Sequence, residues 1–108
     1  MTENNGKLSA IVKLTAKAGR RDEIASAWVD VRPLVDAEPG TEQYSLHLDT
    51  ADEDVAWVFE VYTDKAAFDA HSGGEVLASL TGALGDALVP GGFEMHLTTP
   101  VPGKGIDP

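Results

Sequence analysis

Residues Val55 to Tyr62 read VAWVFEVY, and this octapeptide constrains the fold more than any other stretch of the chain. It is rich in β-branched and aromatic side chains and free of Gly and Pro, which is the signature of a strand. Strand alternation sends Val55, Trp57, Phe59 and Val61 to one face and Ala56, Val58, Glu60 and Tyr62 to the other. Both faces are largely apolar. A sheet wetted on one side alternates apolar and polar residues. This strand must therefore be covered on both sides.

The remaining segments supply cover for only one of them. Leu8 to Ala16 (LSAIVKLTA) reads as a first strand. After the turn Lys17-Ala18-Gly19, a helix begins near Arg20 with Asp22 and Glu23 in its first turn, where the helix dipole favours acids. Ile24, Trp28, Val31 and Val35 give it one apolar stripe. Pro33 is expected to kink it, or to open a second short segment from Pro33 to Ala37. Glu38-Pro39-Gly40 ends it. Thr41 to Asp49 alternates, with Tyr44, Leu46 and Leu48 on one face and Gln43, Ser45 and His47 on the other, and forms a second strand. After Val55–Tyr62, Asp64 is the N-cap of a short helix to about Ala70. Gly73-Gly74 separates it from a helix carrying Leu77, Leu80, Leu84 and Leu88. Pro90-Gly91-Gly92 is a break, and Phe93 to Thr98 is the last strand.

The order is β-α-β-β-α-β. Right-handed crossovers then give an α+β, ferredoxin-like domain: a four-stranded antiparallel sheet with helices on one face. It occupies residues 8–98, between a polar N-terminal segment, 1–7, and a Pro/Gly-rich tail, 99–108, expected to be extended or loose. With 108 residues there is room for one core and no further layer. The bare face of the sheet is then best covered by a second copy, giving a homodimeric α/β barrel.

Composition narrows the function. The net charge of −10 opposes a phosphate backbone, and the only cationic cluster is Arg20-Arg21, so nucleic acid is not an expected partner. No apolar run reaches the roughly 18 residues of a membrane span, and no apolar segment near Met1 resembles a secretion signal. Cys is absent, which excludes disulfides and thiolate metal sites. A cytoplasmic location is expected. The three His residues, at 47, 71 and 96, show no short ligand spacing, so no metal is expected. The Gly pairs are not a G-x-G-x-x-G loop, and no G-x-S-x-G elbow occurs.

Certain residues have a familiar pattern. Glu38-Pro39-Gly40, followed by Tyr44, and the run from Glu60 through Tyr62, Asp64, Ala67 and Phe68 to His71 resemble the antibiotic-biosynthesis monooxygenase (quinol monooxygenase-like) family, over Leu8 to Leu97. The resemblance implies the fold above, dimers formed through the sheets, and a small-molecule cavity between sheet and helices. It implies oxidation of a small aromatic quinol or phenolic compound by O₂ with no cofactor. The alternatives are an isomerase or degrading enzyme for a small signalling metabolite, or a non-catalytic dimeric binding protein. One departure is that a second His found in many relatives is missing: Ser72-Gly73-Gly74-Glu75-Val76 stands in its place. A haem-degrading branch places an Asn, a Trp and a His ligand where Val12, His71 and Thr81 align here, so the haem ligand is absent.

Oxidation without a cofactor needs a base, hydrogen bonds to the substrate anion and a dry pocket. His71 is the candidate base, because imidazole titrates near neutrality; its other reading is a His favouring the end of its helix. Glu60 is a carboxylate among apolar neighbours and must be paired or neutralised. It is a candidate acid or base, or a structural group tied to other residues. Tyr62, on the same strand face, is a candidate to hydrogen-bond the substrate, or a packing residue. Tyr44, Val58, Phe68 and Val12 are candidates for substrate contact. His47 and His96 read as surface residues, and Trp28 and Trp57 as core.

Overall fold

The computed structural model describes residues 6–106. The N-terminal segment 1–7 thus lies mostly outside the described residues, as does the end of the tail. The elements are β1 (Leu8–Ala16), α1 (Arg21–Asp36), β2 (Thr41–Leu48), β3 (Val55–Tyr62), α2 (Lys65–Ser72), α3 (Glu75–Ala87) and β4 (Leu88–Thr98). The strands form one sheet in the order β2-β3-β1-β4, every neighbouring pair antiparallel. The expected ferredoxin-like α+β fold is the one observed, with the second helical region divided at Gly73-Gly74.

β3 and β1 are the central strands, which is where an apolar strand belongs. Ala56 and Val58 from β3 face Leu14 and Val12 across the β1 ladder. With Ile24, Val31 and Val35 of α1 and Val76, Leu80 and Leu84 of α3 they make one buried cluster. α1 and α3 each turn an apolar stripe inward.

Three local expectations need correction. α1 runs unbroken through Pro33, so there is no separate segment from Pro33 to Ala37. Proline removes only the bond to the carbonyl of Val29, and Val29 is exposed, so that carbonyl is within reach of solvent. Pro90-Gly91-Gly92 does not break the chain: β4 starts at Leu88 and crosses it, with a register shift opposite Leu14 and Ala16. An edge strand tolerates Pro, and a bulge absorbs the irregularity. Gly92 has to be glycine there, since a Cβ would lie 2.5 Å from the Thr15 carbonyl oxygen. The described part of the tail, 99–106, is not loose. Pro100 is buried, and Gly103 and Ile106 exchange two backbone hydrogen bonds of 3.0 Å.

The two faces of the sheet differ. Helices cover the face carrying Val12, Leu14, Val58, Glu60 and Tyr62. The outer face carries Ile11, Lys13, Trp57, Phe59 and Val61, which share a side by register. Trp57 is half-buried there rather than in the core, with the Lys13 ammonium 5.7 Å from its ring centre. Ile11 and Phe59 are 38% and 37% exposed. Where β4 runs past the helices, Phe93, Met95 and Leu97 are also exposed, although register places them on the helix-covered side.

Candidate functional site

Two links bring the site together. Gly40 presses against α2: a Cβ at this position would lie 2.4 Å from the Ala67 Cβ, and the Gly40 carbonyl accepts from Thr63 N–H at 2.9 Å. Asp64 caps α2 by accepting from Ala67 N–H at 2.8 Å. α2 is therefore fixed at both its start and its flank, and its last turn holds His71 over β3. His71 is 4% exposed.

His71 Nδ1 lies 2.9 Å from Glu38 Oε1, and the Thr41 hydroxyl donates to the same oxygen at 2.9 Å. An ionised carboxylate only accepts, so Nδ1 carries the hydrogen and Nε2, on the opposite edge of the ring, is free to take a proton. The ring is wedged between two tyrosines, with centroids 4.7 Å from Tyr44 and 5.3 Å from Tyr62. Tyr44 in turn stacks on Trp28 at 5.1 Å. The Trp28 indole nitrogen is buried with no hydrogen-bond partner among the described residues.

Beside His71, between sheet and helices, lies a chamber of about 190 Å³. Val12, Tyr44, Val58, Glu60, Phe68 and His71 all face it, so six of the seven residues singled out from sequence meet at one cavity. Tyr62 stands behind it. Its hydroxyl donates to Glu60 Oε1 at 2.5 Å, and it is not part of the wall. Burial pushes the Glu60 carboxyl above its ordinary range, against the pull of the Tyr62 hydroxyl and of His71. Burial also raises the Tyr44 and Tyr62 phenols, with Glu60 adding to both. Both phenols are held back from ionising, and burial likewise favours the protonated form of the Glu60 carboxyl.

Sequence reasoning missed several residues. Glu38 was visible only as the first letter of Glu38-Pro39-Gly40, and its contact with His71 spans 33 positions. Trp28, Ser72, Leu77, Leu84, Phe93 and Met95 also line the chamber. Helical spacing marked Trp28 and Leu84 as core, and nothing local tells a core wall from a cavity wall. His47 and His96 are exposed, as expected. His47 lies on the outer face against Phe59, at 4.8 Å, so it is Tyr44 that faces the chamber.

Among curated proteins no sequence matches the chain. Solved structures are similar over nearly its whole length. A Caulobacter crescentus protein of the antibiotic biosynthesis monooxygenase type is 21% identical, covers 92% of this chain and 93% of its own, and superposes with a TM-score of 0.82. One of the same type from Chloroflexus aurantiacus is 26% identical, with coverages of 93% and 98% and a TM-score of 0.76. SnoaB of Streptomyces nogalater, a cofactor-independent oxygenase, is 16% identical, with coverages of 91% and 96% and a TM-score of 0.76. Among the described residues no helix is long and apolar enough to cross a membrane. The antibiotic biosynthesis monooxygenase profile matches residues 8–80, most of the domain and all of the Glu38–His71 pairing, and the chain belongs to that family.

Proposed function

We propose that the protein is a cofactor-independent monooxygenase that oxidises a small hydroxylated aromatic compound with O₂. The observation that carries this is a buried imidazole, held at Nδ1 by Glu38, on the wall of a small, mostly apolar chamber. The likeness to SnoaB supports it by fold.

His71 Nε2 takes the proton of a substrate hydroxyl. The electron-rich anion passes one electron to O₂, and the ring radical and superoxide join to form a C–O bond. The O–O bond then breaks, one oxygen leaves as water with the proton held on His71 and the hydrogen of the attacked ring carbon, and that carbon becomes a carbonyl. For a dihydroxybenzene the balance is C₆H₆O₂ + O₂ → C₆H₄O₃ + H₂O, so the substrate supplies all the electrons. Glu60, beside His71 at the same end of the chamber, donates a hydrogen bond to the developing anion when it carries its proton, and the apolar lining keeps water from the radical pair. Tyr62 serves by holding Glu60.

We also propose that two copies pack through their outer sheet faces, which would cover Ile11 and Phe59.

Oxygen uptake by the purified protein with simple quinols and catechols tests the activity. His71→Ala is expected to lower the rate by about 10²-fold or more, the usual contribution of a positioned base. A full rate in His71→Ala on a proven substrate would sink the assignment. Turnover in the absence of oxygen would move the protein to the isomerases, and a ligand-induced thermal shift without product to the binding proteins.

A further inference from the structure

The chamber is polar at one end only. Glu60 lies opposite Tyr44 on β2, and His71 comes down from α2 beside both. Two strands away, about 10 Å across the sheet, the wall is made of Phe93 and Met95 on β4. Met95 lies level with Val12 and Phe93 with Leu14. Phe93 and Met95 line the chamber and are also 50% and 43% exposed, so they form its mouth. The volume, about 190 Å³, is also restrictive. A cavity of about 150 Å³ takes benzene, and sites for drug-sized molecules start near 300 Å³. One substituted ring fits; three fused rings do not.

Building on the proposed monooxygenase reading, we infer that the site takes a single-ring phenol or catechol whose hydroxyls lie along one edge. The opposite edge carries an unbranched alkyl substituent that leaves the chamber between Phe93 and Met95. The hydroxyls meet His71 and Glu60. A hydroxyl at the other end would lie among apolar side chains without a partner, which disfavours a ring oxygenated at both ends. The same arrangement gives the exposed apolar row of β4 a use: Leu97 continues the surface that the chain follows on leaving the chamber.

Anaerobic calorimetric titration tests this without turnover, with catechol and its 4-methyl, 4-propyl, 4-butyl and 4-hexyl derivatives as probes. Kd is expected to fall up to about fourfold per methylene, the value of 0.8 kcal/mol for a buried CH₂, until the chain passes the mouth, and then to level off. 1,2,4-Benzenetriol, which carries a hydroxyl in place of the methyl of 4-methylcatechol, is expected to bind about tenfold more weakly or worse. In Phe93→Ala and Met95→Ala the dependence on chain length should flatten. A Kd indifferent to chain length in the unmodified protein, equal binding of the triol, or tighter binding of a three-ring anthrone would each overturn the inference. So would a Met95→Asp variant whose principal change is loss of a dimer, because a second copy would then be what covers the row. Alkyl catechols that bind as described but consume no oxygen would leave the inference standing and remove the monooxygenase reading. Oxygen uptake with a flat series would do the reverse.

Discussion

Glu38 Oε1 and His71 Nδ1 meet at 2.9 Å across 33 residues of chain, joining the turn before β2 to the end of α2. Half of this pair is buried against the chamber and half reaches the surface: the His71 side chain is 4% exposed and that of Glu38 22%. Glu38 does not line the chamber, so it is a positioning residue that acts through the imidazole.

Glu38→Gln should therefore lower kcat by about tenfold or more while KM changes little, because transition-state basicity is lost and ground-state contacts are not. Steady-state kinetics on a proven substrate, with a melting curve to show that the variant is folded, check this. A rise in KM at constant kcat would place Glu38 in substrate binding instead.

Glu60 should leave a mark on stability against pH. Its carboxyl in the folded protein titrates above the ordinary value, so between the two the folded chain holds more protons than the unfolded one. Stability then falls as pH rises from the ordinary carboxylate value through the raised one. Glu60→Gln removes this dependence. Melting temperatures of the two proteins, taken from pH 4 to 8 as a working range, should diverge in favour of the variant as pH rises. Parallel curves would show that Glu60 is ionised at no cost in the fold.

Gly40→Ala is expected to destabilise the protein by about 1–3 kcal/mol, the usual cost of an overpacked contact, because the new methyl would overlap the Ala67 side chain. Denaturant unfolding measures it. Activity should fall along with stability, since α2 must shift and His71 shifts with it. An unchanged midpoint would mean that the close approach is not rigid.

If the outer faces of two copies pair, Phe59→Asp puts a charge in the middle of that contact. Light scattering after size exclusion should then give the mass of one chain where the unmodified protein gives two. The unmodified protein eluting as a monomer at micromolar concentration would reject the pairing, and an intact dimer in the variant would place the contact elsewhere.

The architecture was legible because each segment announces its own period. VAWVFEVY demanded cover on both of its faces, the apolar stripe of α1 supplied one, and Asp64 and Gly73-Gly74 marked the ends of α2. What failed was irregular. Pro33 is harmless because it falls in the last turns of a helix beside an exposed carbonyl, and Pro90 because β4 is an edge strand with a bulge. The first context depends on where the helix ends, and the second on the neighbouring strand. At the site, alternation placed Val58 and Glu60 on one face, and the family pattern singled out His71. Glu38 was not recognised as its partner, and for Tyr62 the sequence left substrate contact and packing both open, where its hydroxyl is bonded to Glu60. Contacts between distant segments decide both, and spacing along the chain does not encode them.

The outward reach of Glu38 has one more consequence under the proposed chemistry. The proton that His71 takes goes out in the water the reaction forms, so no proton has to pass to bulk and the hydrogen on Nδ1 stays where Glu38 holds it. Solvent reaches that carboxylate from outside, at 22% side-chain exposure against 4% for the imidazole, so its charge is hydrated from the surface while it keeps the same tautomer ready for every cycle.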